Sequence, residues 1–499
     1  MELQFHKVQR SCLHKVVRQV QNQEQTQELR LPDGMPDIGR VLGAWGQVLI
    51  RGKEWRSGSM SVSGGVMAWA LYMPEEGGVP QCVEAWIPFQ MKWDVPDTDR
   101  DGVIRVSCLL RSVDARSISA RKLILRAGIG LLGEALVPSE LELYSPVQIP
   151  EDVQLLKNTY PVLMPVEAGE KSFAIEEELS LPASCPKLDK LIRYEMRPEL
   201  IDQKIVSEKI VFRGAAILHI MYLAEDGEIY SWDFEIPFSQ FTDLDRDYDI
   251  GALATVIPAV TSLEVENGED GILRLKAGLT GQYIVYDRPE IEIVEDAYSP
   301  MRQVTPHMEQ LQIPMILDSR TESIHAELTT DQSVSRVADI SFLPDHPRMS
   351  RDSQTVQAEI PGVFQMLSYD HEGQIQSVML RWEETWSLGA APDSDVDIAV
   401  RPSGIPQSTA GGGNTSLRGD ILIDAETAAR QGLQMVTGLE LGELIQADPG
   451  RPTLILRRAG EDSLWTIAKE SGSTVDAINR ANRLQGEPDS NQMLLIPVM

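Results

Sequence analysis

The chain has 499 residues, 45 of them Lys or Arg and 75 Asp or Glu, for a formal charge of -30. With 42% hydrophobic residues it is too apolar for disorder. At roughly 100–200 residues per domain its length predicts about three or four domains. So acidic a chain is repelled by phosphate backbones and anionic headgroups, which excludes nucleic acid and a bare membrane as principal partners and favours a protein or a neutral glycan.

At the N-terminus, Met1 to Val20 lacks the unbroken apolar core of a signal peptide, and nowhere do the roughly 18 apolar residues of a membrane helix run together. A cytoplasmic protein without a transmembrane segment is expected. Cys12, Cys82, Cys108 and Cys185 have no C-x-x-C spacing, so neither a zinc knuckle nor a redox pair is written and idle thiols are expected.

From Leu31 onward the chain repeats itself. Leu31-Pro32, Pro36, Ile38 and Leu42 recur 150 residues later as Leu181-Pro182, Pro186, Leu188 and Ile192, and the same offset carries Gly64, Tyr72 and Gly77 to Gly214, Tyr222 and Gly227. Ile87-Pro88-Phe89 returns as Ile236-Pro237-Phe238. In the first copy Ser59, Ser61 and Ser63 alternate with Met60 and Val62, the period of a half-exposed strand. In the second, apolar Ile217 to Leu223 meets a turn at Glu225-Asp226-Gly227, after which Tyr230, Trp232, Phe234 and Ile236 alternate with Ser231, Asp233 and Glu235. That pattern is a β-hairpin with one buried face. Gly77 and Gly227 are expected in turns that need a positive φ, and Pro88 and Pro237 to end a strand or sit on an edge. An eroded third copy keeps Gly362, Tyr369 and Gly373. The Pro-, Ser- and Gly-rich run at 390–416 reads as a flexible insertion, since Gly411-Gly412-Gly413 has no following Lys-Ser/Thr to form a phosphate loop.

The predicted architecture is mostly β: tandem antiparallel sandwich- or barrel-like domains at 1–150, 151–305 and 306–445, a linker at 446–452, and a small βααβ domain at 453–499. The repeats resemble the SPOCS domains of endospore-forming bacteria. The resemblance rests on the Leu-Pro-x-x-x-Pro-Asp-Ile opening at Leu31 to Ile38, the Tyr-x-x-x-x-Gly hairpin, the Ile-Pro-Phe at its end and Ser119-Ala120-Arg121-Lys122-Leu123. It covers roughly 30–300; Lys187 stands where that family favours Asp.

In the C-terminal segment Leu454-Ile455-Leu456 predicts a strand, and Asp462 or Ser463 caps a helix carrying Leu464, Ile467 and Ala468 on one face. Thr474 caps a second helix with Val475, Ile478 and Asn482 in line, and Met493 to Pro497 closes as a strand. The segment resembles the LysM module through Asp462 to Lys469, Asn482 and Gln492 to Pro497. That resemblance implies a shallow groove for N-acetylated sugars lined by Gly460, Asp462, Ser463, Leu464, Asn482 and Leu484. Glu461 departs from the module by placing a charge where Gly is usual, and Asn491 replaces a Gly in a position where Asn tolerates the left-handed conformation.

No catalytic chemistry is written. Asp97 to Gly102 has the start of a calcium loop, but Cys108 stands where the bidentate Glu belongs, so it reads as a solvated interstrand loop. The seven histidines form no metal spacing, and His219, in an apolar strand, is expected as a satisfied core residue. No nucleophile elbow, dinucleotide fingerprint or Walker loop appears, so neither an enzyme nor a cofactor is expected. The resemblances together imply a non-enzymatic adaptor of the spore envelope. Its LysM module would engage a spore-coat morphogenetic ATPase or another coat protein at the forespore surface, with peptidoglycan as the alternative ligand.

Overall fold

The 150-residue offset of the sequence is an offset of strands in the computed structural model, which describes residues 2–499 except 57, 97–100, 250, 269–270, 312–315, 333, 353, 390–393, 412, 430–432, 446–449, 451 and 485. Most of the expected linker and most of the Asp97 to Gly102 loop thus lie outside the described residues. A short β1 (Glu2–Gln4) precedes a first set of strands: β2 (His6–Arg30), β3 (Ile38–Arg56), β4 (Ser59–Pro74), β5 (Gln81–Asp94), β6 (Val103–Ser119) and β7 (Lys122–Ser145). β8 (Gln154–Pro161) leads to a second set: β9 (Met164–Ser180), β10 (Leu188–Val206), β11 (Lys209–Ala224), β12 (Ile229–Asp243), β13 (Leu253–Asn267) and β14 (Ile272–Asp287). β10 and β11 begin and end 150 residues after β3 and β4.

β15 (Glu290–Tyr298) and β16 (Arg302–Gln310) connect to a third set: β17 (Ile316–Thr330), β18 (Arg336–Pro344), β19 (Arg348–Arg351), β20 (Thr355–Tyr369), β21 (Ile375–Gly389), β22 (Ser394–Gly411) and β23 (Asn414–Ala429). β24 (Gln434–Leu444) follows, and β25 (Leu454–Arg458), α1 (Leu464–Ser471), α2 (Val475–Asn482) and β26 (Met493–Pro497) form the predicted βααβ unit. Each set folds into two antiparallel sheets with one topology. β2-β7-β6, β9-β14-β13 and β17-β23-β22 form one kind; β3-β4-β5, β10-β11-β12, and β20 flanked by β18, β19 and β21 form the other. The two sheets of a set enclose its core, as where Val66, Ile87 and Phe89 meet Leu125 and Ile129.

The third set therefore keeps both sheets, and the flexible insertion expected at 390–416 is corrected: its described residues are β22 and the start of β23. Ile398 and Val400 turn inward with the period of a strand, opposite buried Leu417, Ile421 and Ile423. Pro402, Ser403 and Gly404 sit at a register shift between Ser403 and Gln407, so the run read as loop is an irregularity within a strand.

The repeated residues have repeated jobs. The Tyr72 hydroxyl donates to the Pro36 carbonyl at 2.9 Å and that of Tyr222 to the Pro186 carbonyl at 3.1 Å, pinning the Leu-Pro-x-x-x-Pro segment to the central strand. Arg121 donates to the carbonyls of Pro32 and Met35 (both 2.7 Å) and to Asp37 (2.8 Å), which joins two of the motifs quoted above. Gly77 and Gly227 have φ of +82° and +83°, as their turns require. Pro88 and Pro237 lie on β5 and β12, both edge strands. Gly64 and Gly214 lie opposite bulges, where a Cβ would stand 2.1 Å from the Leu49 carbonyl and 1.8 Å from the Glu199 carbonyl.

Between the sets, β1 pairs with β24, β24 with β16, and β8 with β15. These strands share a core of Phe5, Val153, Val294, Ala297, Val436 and Leu439. A junction unit is thus built from four separated stretches of chain, and residue 305 falls within β16. At a second meeting point Trp45, Leu71, Met221, Ile229, Leu367 and Tyr369 bring all three sets together. Arg193 and Asp339 are buried there with His219, which bonds Asp233 and Asp339 as a satisfied core histidine. All four cysteines are free. Among the described residues no helix is long and apolar enough to cross a membrane.

Candidate partner-binding groove

Ser463 caps α1, its side chain accepting from Thr466 N–H, and Thr474 caps α2 by accepting from Ala477 N–H. Leu464, Ile467, Ala468 and Ile478 turn onto Leu494 and Ile496 of the two-stranded sheet, which fixes the loops on either side of the predicted groove. Gly460 has φ of +69°, and α2 ends on Arg483 at +55°. Asn491 is not in the left-handed region among the described residues.

Of the six predicted groove residues, Gly460, Asp462 and Ser463 precede α1, which Leu464 opens, and Asn482 closes α2 with Leu484 just beyond it; the loops before α1 and after α2 are tied to one another. Gly460 N–H donates to the Ser490 carbonyl at 2.9 Å, and Leu464 N–H to the Glu487 carboxylate at 3.2 Å. Asp462 pairs with Arg457, whose guanidinium also reaches Glu470 at 2.7 Å; that hydrogen bond, with the two carboxylates, raises the pKa of Arg457. Leu464 is buried at 4% exposure, while Leu484 is half-buried against the same core. Asn482 is a strut: its Nδ2 donates to the carbonyls of Ile478 (2.8 Å) and Leu495 (2.6 Å), and its Oδ1 accepts from Leu495 N–H (2.7 Å). Both amide hydrogens are used within the unit, which leaves them no part in holding a ligand.

Glu487 is the tie between these segments that spacing did not indicate, because its partner Leu464 lies 23 residues away. Equally invisible was the far side of α1. Trp465 Nε1 donates to Asp296 of β15 at 2.9 Å, and Lys469 pairs with the same carboxylate at 2.6 Å. Tyr298 meets the Trp465 ring edge-on at 4.8 Å, and its hydroxyl donates to the Ser473 carbonyl at 3.1 Å. Burial pushes the Tyr298 phenol up to about 12. The C-terminal unit is held to the β body by this face of α1. The hydrogen bonds and ion pairs described for the six predicted groove residues stay within 457–495.

Residues 187–266, which span β10 to β13, match the family model described as SipL, SPOCS domain. No curated protein and no solved structure matches the chain.

Proposed function

We propose that this protein is a non-enzymatic adaptor of the bacterial spore envelope, in which a body of SPOCS-like β repeats presents a LysM-like C-terminal unit to a coat morphogenetic protein at the forespore surface. The SPOCS-domain match at 187–266 supports the sporulation setting. The observation that carries protein over sugar is the pair of loops closed on themselves. Glu487 holds the Leu464 N–H, and both Asn482 amide hydrogens are used internally, so a neutral N-acetylated sugar finds few free donors. A single module also lacks the tandem copies through which weak sugar sites gain avidity. Half-buried Leu484 and the apolar rim suit a protein side chain instead.

The test compares the full-length chain with its Leu484→Asp variant. Calorimetry against chito-oligosaccharides is run beside a pull-down of the coat morphogenetic ATPase from sporulating cells. Recovery of the ATPase, lost in the variant, supports the adaptor. Low-micromolar chito-oligosaccharide binding without recovery of the ATPase overturns it in favour of peptidoglycan.

A further inference from the structure

A cleft of about 640 Å³ opens where the junction unit meets strands of all three sets, and no role has been assigned to it above. Its volume lies within the roughly 300–1,000 Å³ of ligand pockets. One wall is apolar, made by Leu141, Val162, Ile291, Ile293, Leu311 and Met435 from five separate stretches of chain; none of these residues is more than 6% exposed.

The remaining lining includes six carboxylates: Glu140, Glu142, Glu309, Asp395, Asp397 and Glu426. Against these six, Lys15 and Arg18 are the only Lys or Arg among the described lining residues. Both cations are already engaged. Lys15 lies 2.8 Å from Glu426 and 3.6 Å from Glu134, and Arg18 lies 3.1 Å from Glu134 and 2.9 Å from Asp397. Glu134 is held well below the usual carboxylate range, since Arg105, Lys15 and Arg18 outweigh its burial. The cleft's own cations are therefore neutralised locally, and the lining as a whole stays negative. Asp397 pairs with Arg18 and Glu142 with Lys7 at 2.6 Å, while Glu140 and Glu309 are exposed, so carboxylates remain within reach of solvent.

An apolar wall beside an excess of reachable carboxylates repels anions and selects a ligand that is apolar and cationic together. We propose that this cleft docks a segment of a partner protein in which apolar side chains are flanked by Lys or Arg. Lys15 and Arg18 show the seating in miniature: each lines the cleft and is held by a carboxylate from β22 or β23. Because the walls come from β2, β7, β15, β16, β22, β23 and β24, with Met164 and Pro165 of β9, the site exists only when all the strand sets have assembled.

The full-length chain is titrated with three fluorescein-labelled ten-residue peptides, alternating Leu with Lys, Leu with Glu, and Ser with Lys. The Leu-Lys peptide is expected to bind at least 10-fold more tightly than either other peptide. Glu140→Lys with Glu309→Lys is expected to weaken it at least 10-fold. Since residues 453–499 hold 5 basic and 6 acidic side chains, the rest carries -29, and any cationic peptide is attracted to some extent. Glu176→Lys with Glu177→Lys, on β9 outside the cleft, is the control and is expected to change affinity by less than 2-fold. Equal loss in the two double variants, equal binding of the Ser-Lys peptide, or no binding of the Leu-Lys peptide overturns the proposal. Circular dichroism confirms that each variant is folded before it is scored.

Discussion

The Arg193 guanidinium donates to the Asp339 carboxylate at 2.7 Å with both side chains fully withdrawn from solvent, so the second and third strand sets share one buried ion pair. Trp45 of the first set lies beneath the same guanidinium at 5.3 Å. Removing one partner leaves the other charge buried with only its second contact, Arg193 with Glu195 at 3.0 Å or Asp339 with His219 at 2.8 Å, at a cost of about 3–5 kcal/mol. Arg193→Ala and Asp339→Ala are expected to lower stability by that amount in urea titrations. Arg193→Met combined with Asp339→Leu is expected to recover most of it.

His219 extends that pair into a pH dependence. Burial alone pushes its pKa down, but the Asp339 charge and the hydrogen bonds to Asp233 and Asp339 outweigh burial and raise it to about 9. The unfolded chain titrates near 6.5. Protonated His219 therefore adds its full stability below about pH 6.5 and loses it as the pH rises through about 9. Urea midpoints measured from pH 6 to pH 10 are expected to fall across that window in the parent and to be flatter in His219→Gln. Parallel profiles for the two proteins would refute the assignment.

Two glycines of the repeat are expected to differ sharply on substitution. Gly227→Ala strains a positive φ at a hairpin tip and costs about 1 kcal/mol. Gly214→Ala drives a methyl group to 1.8 Å from the Glu199 carbonyl oxygen, so β10 and β11 must part; about 3 kcal/mol or more is expected. Thermal melts of the two variants side by side decide it.

How much of this was legible follows from sequence distance. The Tyr-x-x-x-x-Gly hairpin was readable because strand, turn and strand are neighbours, and Ser463 and Thr474 announced their helices locally. Leu31 to Ile38 and Ser119 to Leu123 were visible as two motifs, but the bond from Arg121 to Pro32 spans 89 residues and no spacing rule links them. Pro402 and Gly404, at a bulge, imitate a loop and outweighed the strand signal just before them, where Asp395 and Asp397 alternate with Val396, Ile398 and Val400. The contact of Trp465 with Asp296 spans 169 residues, and the fold alone reveals it.

Asn482→Ala removes a donor and an acceptor from Leu495 and a donor from Ile478, at about 2 kcal/mol in total. Amide exchange across 464–482 is expected to accelerate at least 10-fold in this variant with no ligand present. Any loss of binding it shows is then a loss of folded unit.

Asp296→Ala breaks the tether of Trp465 and Lys469 at once. Limited proteolysis is expected to cut between Leu444 and Thr453 several-fold faster, with the urea midpoint of the β body unchanged. Unaltered cleavage would show that Tyr298 alone holds the unit.

The pairing of Leu3 with Leu439 sets a timetable for biosynthesis. Glu2–Gln4 leave the ribosome well before their partner strand, which starts at Gln434, and at about 5–20 residues per second that interval lasts roughly 20–90 s. Throughout it Leu3 and Phe5 lack the apolar partners Val436 and Leu439 that cover them in the finished protein. Each growing chain thus carries an uncovered apolar segment throughout that interval, and crowded polysomes are where two chains have the longest opportunity to join the wrong segments.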